Sequence, residues 1–138
     1  MNAFALALFG LVFVARALAQ DITTPVAPAS DAVARALFTT GIAGREPTDR
    51  ITSLDHRVRH VYFFTELTGL EGKPVAHKWE YAGDVKAAVT FQVGAPRWRV
   101  WSSKTLDPGW TGTWTVSVVD ASGATLARET LTYQPDNR

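Results

Sequence analysis

From residue 58 onward, hydrophobic and polar positions alternate with a period of two, and no long helical repeat appears anywhere in the segment. Residues 58–67 are rich in Val, Tyr, Phe and Thr, with Val61 and Phe63 on one face and His60, Tyr62 and Phe64 on the other. After turn chemistry at 69–74, His77, Trp79 and Tyr81 alternate with Ala76, Lys78 and Glu80, the signature of a half-buried strand. A tight Ala82-Gly83-Asp84 connection leads into the sharpest alternation of the chain, Val85, Ala87, Val89, Phe91 and Val93 against Lys86, Ala88, Thr90 and Gln92. Further strands are predicted over 97–104, 113–119 and 126–133, separated by Gly94-Ala95-Pro96, Asp107-Pro108-Gly109 and the hairpin-like stretch 120–124.

Residues 32–39 are ambiguous, because their alanines favour helix while their alternation permits a strand. The turn chemistry of Thr40-Gly41 and 44–49 cuts the segment short, which favours a first strand. About seven or eight strands joined by short loops predict an all-β domain. The expected architecture is an antiparallel β-sandwich, immunoglobulin-like or jelly-roll-like, with a barrel as the alternative.

The start of the chain follows a different pattern. Residues 3–15 carry no charged or strongly polar side chain, and this 13-residue run fits the apolar centre of a signal peptide. It is shorter than the ~20 residues that cross a bilayer comfortably. Small residues at Ala17 and Ala19 place cleavage before Gln20. No Lys or Arg precedes the run and Arg16 lies within the cleavage region, so an uncleaved membrane anchor is the alternative to export. The expected organisation is a signal peptide over 1–19, a Pro- and Thr-rich tether over 20–31, a β domain over 32–134 and a short tail over 135–138. The expected location is the periplasm, with no transmembrane span in the mature chain.

Composition narrows the functional classes. The 138 residues hold 14 Lys+Arg and 13 Asp+Glu, and loss of the leader with Arg16 brings the formal charge to zero. A broad electropositive surface for nucleic acid therefore has no compositional basis. The absence of cysteine removes disulfides, thiol nucleophiles and zinc–thiolate sites, so an exported domain of this sequence must be held by its core alone. No serine-nucleophile elbow or phosphate loop is present, no cofactor is implied, and the balance points away from an enzyme.

Residues 96–114, PRWRVWSSKTLDPGWTGTW, hold four of the five tryptophans. Together with VARALFTTGIAGREP (33–47) and the HKWEY segment within 61–85, they closely resemble the bacterial DUF2914 family over nearly the whole mature chain. That resemblance implies a small exported or membrane-associated all-β domain with no established catalytic residues. The family's recurring positions match Trp79, Arg97, Trp98, Arg99, Trp101, Trp110 and Trp114.

In a regular strand over 97–104, Arg97, Arg99, Trp101 and Ser103 point one way and Trp98, Val100, Ser102 and Lys104 the other. Trp101 is then the outward aromatic among arginines, and Trp98 packs inside with Val100. Arg97, Arg99, Trp101, Lys104 and Trp110 form the expected ligand-binding set. Aromatic rings offer flat apolar area, and guanidinium groups offer fixed donors to hydroxyls or carboxylates. The bland alternative is ordinary packing, with arginine stems laid over rings.

His60, His77 and Glu80 form a secondary set for metal ligation or acid–base work, although no metal-ligand spacing supports it. The reading that results is a non-catalytic exported binding module for envelope polysaccharide or peptidoglycan. Its alternatives are a structural or protein-interaction module of an envelope assembly, marked by a flat apolar patch or an exposed edge strand, and a small hydrolase.

Overall fold

The computed structural model describes residues 30–135. The expected signal peptide, most of the tether and the last three residues of the tail lie outside them. Ten strands follow in order: β1 Val33–Thr39, β2 Ile42–Ala43, β3 Glu46–Pro47, β4 Ser53–Asp55, β5 His60–Thr68, β6 Pro74–Tyr81, β7 Asp84–Gln92, β8 Arg97–Thr105, β9 Gly112–Asp120 and β10 Thr125–Gln134. Seven of these are long, and they fall where the period-two alternation predicts strands, the ambiguous first segment included. The short β2, β3 and β4 lie in 41–55, where turn residues mask any pattern.

The strands form a three-stranded sheet β1-β5-β8, a five-stranded sheet β4-β10-β9-β6-β7 and the small hairpin β2-β3. The two larger sheets share one core and neither closes into a barrel. All ladders are antiparallel except one: β4 runs parallel to β10, a departure from the wholly antiparallel expectation. It arises because 48–55 crosses from the small sheet to the large one. Ile51 donates its N–H to the Phe38 carbonyl of β1, and Thr132 of β10 donates to the Thr52 carbonyl. This crossing closes one flank of the molecule.

The core is aromatic at its centre. Phe38 and Phe63 of the small sheet meet edge-on at 5.0 Å, and Phe38 meets Trp79 of the large sheet at 5.9 Å. Trp114, Val116, Val118, Leu131 and Tyr133 complete the fully buried layer from β9 and β10.

Amid these apolar groups lies a fully buried histidine, His77. Its Nε2 is 3.0 Å from Thr65 Oγ1 of β5 and its Nδ1 is 2.8 Å from Ser102 Oγ of β8. Thr65 donates its one hydroxyl hydrogen to the Val100 carbonyl, so it must accept from Nε2–H. Nδ1 is then the acceptor of the Ser102 hydroxyl, whose oxygen accepts Trp79 Nε1–H at 3.0 Å. The result is a single directional chain, Trp79 to Ser102 to His77 to Thr65 to Val100, in which a neutral imidazole satisfies every group.

The sharpest alternation does not mark the best-buried strand. β7 is the free edge of the large sheet. Val85 and Lys86 both stand against Glu80 before the ladder resumes at Trp79 opposite Ala87. This β-bulge breaks the parity. Ala87, Val89 and Phe91 share the inward face with Trp79, His77 and Val75, whereas Val85 sits opposite Glu80 and is 54% exposed. The expectation that Val85 continues the inward row is therefore corrected.

Burial pushes the His77 imidazole down to about 3 from an ordinary value of 6.5. Its stabilising contribution is complete above pH 6.5 and is lost as pH falls, because only the unfolded chain takes up the proton. Between pH 6.5 and 4.5, above the carboxylate range, we expect unfolding free energy to fall with a slope approaching about 1.4 kcal/mol per pH unit. An H77F variant, less stable at pH 7, should show a distinctly flatter profile in the same window, measured by urea unfolding at stepped pH.

Candidate functional site

The outer face of the small sheet is ordered by the β1–β5–β8 register. Arg35, Glu66 and Arg99 form one cross-strand row, and Leu37, Phe64 and Trp101 form the next. Opposite charges side by side in a row favour the pairing.

Glu66 is buried and divides its carboxylate between two strands, with Arg35 Nε at 2.5 Å on one oxygen and Arg97 Nε on the other. Glu46, carried by β3, reaches over the same face. Its oxygens accept from Arg35 Nη1 at 2.8 Å and Nη2 at 3.1 Å, and from Arg99 Nη1 at 2.6 Å. One carboxylate thus ties β1 to β8 above β5. Hydrogen bonds from Arg35 and then Arg99 hold Glu46 down at about 2. The Arg35 hydrogen bond also lowers Glu66, against an opposing push from burial.

The β2–β3 hairpin that brings Glu46 here turns through Gly44 and Arg45, both in the left-handed region at φ 57° and 63°. This is the geometry two-residue hairpins favour. Asp49 fastens its base, accepting from Thr39 Oγ1 at 2.6 Å and the Thr40 N–H at 2.7 Å. Beneath the ion pairs, Phe64 is fully buried although its strand parity points away from the main core. The Arg35 guanidinium lies 4.9 Å above its ring, and Trp101 stacks beside it with centroids 6.4 Å apart and planes at 13°.

The five expected ligand-binding residues divide between two places. Arg97, Arg99 and Trp101 share the outer face, with Trp98 and Val100 against the core, matching the expected facing of the strand. Arg97 remains 72% exposed in its side chain and bonds Glu66 only through Nε, so both terminal nitrogens remain available; Arg99 uses Nη1 alone.

Lys104 and Trp110 lie at one end of the core instead. Trp110 is 37% exposed on the β8–β9 loop, stacked on Tyr81 at 6.1 Å and near Trp114 at 5.9 Å. The Lys86 ammonium sits 5.1 Å over the Trp110 ring, and the Lys104 ammonium sits 5.9 Å from the Trp114 ring. The loop is fixed by its own polar groups: Trp110 N–H donates to the Asp107 carbonyl, Trp114 Nε1 to the Trp110 carbonyl and Tyr81 OH to the Thr111 carbonyl. Trp110 therefore closes the end of the core, away from Trp101.

The secondary set is dispersed as well. His60 is exposed on the outer face of the small sheet, His77 is interior, and Glu80 lies on the outer face of the large sheet. Among the described residues no group of three His, Asp or Glu is placed to hold a metal ion. Two carboxylates, Glu46 and Glu66, do approach one another through Arg35, but both are held ionised, the opposite of what a general acid requires. Glu46 and Arg35 carry no sequence signal of this role, since the short hairpin that joins them has no periodicity. For Glu66, the one available clue is a charged residue in the same face row as Phe64.

We expect E66Q to lower stability by about 1–2 kcal/mol at pH 7. The deficit should persist down to pH 4.5 and close only below it, as the wild-type carboxylate loses its charge. Paired denaturant titrations across that range measure it.

No curated protein matches the chain. Among the described residues, no helix is long and apolar enough to cross a membrane. Residues 72–132, from the turn before β6 into β10, match the model of the family described as "Protein of unknown function (DUF2914)".

Proposed function

We propose that this chain is a non-catalytic binding module of the bacterial cell envelope, exported through the leader at 1–19 and released before Gln20 or retained by it as an anchor. The observation that carries the binding reading is the free edge of the small sheet, β8, with arginines beside it whose donors are only partly used. This favours a protein-interaction module within an envelope assembly. Trp101 and Trp110 give less support to sugar stacking, since one ring lies against Phe64 and the other beneath Lys86.

The glycan reading keeps one specific support. The spare nitrogens of Arg97 and Arg99 lie on the same strand face as Trp101, an arrangement suited to the carboxylates of an acidic polysaccharide or of peptidoglycan. The order β1-β5-β8 against β10-β9-β6-β7 supports an immunoglobulin-like rather than a jelly-roll architecture, a scaffold that serves as a display framework in many binding domains.

The test uses immobilised wild-type protein and an R99A/W101A variant checked for an intact thermal transition. Wild type should retain an envelope protein that the variant loses. If peptidoglycan fragments or envelope polysaccharide bind instead, quenching tryptophan fluorescence in wild type but not in W101A, the glycan reading replaces the interaction reading. Retention of neither class by wild type refutes both.

A further inference from the structure

The two sheets are unequal in width, and the mismatch is confined to one flank. Ser102 of β8 bonds His77 and Trp79, so β8 lies over β6. Beyond it, β7 has no strand of the small sheet facing it among the described residues. Burial records the difference. The inward residues of β6, Val75, His77 and Trp79, are fully buried, whereas Ala87, Val89 and Phe91 in the matching row of β7 are only half-buried. The opposite flank is closed by backbone bonds from Ser30 to Leu126, Ile51 to Phe38 and Thr132 to Thr52. The β7–β8 flank has no such closure: among the described residues no backbone bond outside the ladders involves either strand.

The two edges on this flank differ. β7 is guarded by its bulge and by Lys86, both common protections of an exposed edge. β8 is regular, its register with β5 unbroken from Thr105 opposite His60 to Arg97 opposite Thr68, with no proline within it. Nine residues of ordered strand therefore present half their backbone donors and acceptors outward.

We infer that β8 accepts one further strand, an extended segment of a partner protein in which apolar residues alternate with acidic ones. The added strand widens the small sheet to four and lies opposite β7. Its inward side chains cover Ala87, Val89 and Phe91, and its outward side chains meet the cations of the outer face. The charge requirement comes from three arginines. Arg97 and Arg99 have spare donors, and the Arg45 guanidinium, 5.9 Å from the ring of the inward-facing Trp98, passes the same edge. Glu46 and Glu66 are already consumed by their ion pairs. Main-chain bonding supplies affinity and the two side-chain rows supply selectivity, as in other strand additions. The inference rests on the protein-interaction reading and specifies the partner's chemistry.

The probe is a capped ten-residue peptide of alternating Glu and Val, with hydrogen exchange followed residue by residue. At saturation the β8 amides that point away from β5 should slow by about tenfold or more. An R97Q variant should weaken peptide binding about three- to tenfold, since it removes one exposed cation from the edge. V89E, which places a charge in the row beneath the added strand, should weaken it further, with thermal melts confirming that both variants fold. A peptide N-methylated at every residue should give no protection.

Protection at β7 instead of β8, equal binding by a Lys–Val peptide, or undiminished binding by the N-methylated peptide would overturn the inference. Protection of β8 that grows with protein concentration in the absence of peptide would also overturn it, assigning the edge to a second copy. If immobilised protein retains an envelope partner while the β8 amides stay exposed, the strand inference fails and the interaction reading stands. Peptide protection at β8 without any retained envelope protein supports the strand inference and defeats the envelope reading.

Discussion

Five polar groups from β5, β6 and β8 meet in the middle of the core, and the position of each sheet depends on how they share their hydrogens. Each hydroxyl in the Trp79–Ser102–His77–Thr65 chain has one hydrogen, and each is committed to one acceptor. The arrangement leaves no donor spare, so a slip of either sheet would orphan a buried group at a cost of about 1–3 kcal/mol. Apolar packing alone tolerates small displacements more readily than this. The network therefore does for the two sheets what register does within one. It also fixes β8 above β6, and the uncovered inward row of β7 follows from that placement.

A second constraint acts on the far side of the small sheet. A charged row lies directly above an aromatic one, and the hairpin carrying Glu46 is drawn across both. Exposed ion pairs contribute little singly. Here Glu66 is buried and the arginines serve two carboxylates, so the pairs act as a frame that also shields Phe64 from water. This gives the arginines of the tryptophan-rich segment a structural duty whatever else they bind. It also leaves a surplus of cation at the sheet's edge, since two carboxylates neutralise three guanidinium groups before Arg45 is counted.

Much of the fold is legible in the sequence because buried and exposed residues must alternate along a strand with one wet face. The long strands and the inward placement of Trp98 and Val100 follow directly from that rule. What escapes it depends on residues that alternation does not describe. The β2–β3 hairpin rests on two left-handed residues and a carboxylate cap at Asp49, and the β4–β10 pairing rests on a crossing segment with no pattern of its own. The candidate site is partly readable for the same reason: strand parity brings Arg97, Arg99 and Trp101 together. Parity cannot tell that Trp110 folds back over Tyr81 rather than joining Trp101, nor that His60 and His77 lie on opposite sides of one sheet. Those outcomes are decided by loop geometry and by which sheet each strand enters.

The bulge at Val85–Lys86 carries a consequence for how the chain tolerates change. Because the ladder beyond it depends on one supernumerary residue, deletion there is not equivalent to deletion in a loop. Removing Lys86 would let the strand run straight, with Val85 alone opposite Glu80 on the outer face, and would strip β7 of both its bulge and its lysine. A single-residue deletion would then leave β7 as regular an edge as β8. The odd residue in an otherwise even pattern guards the edge of the sheet.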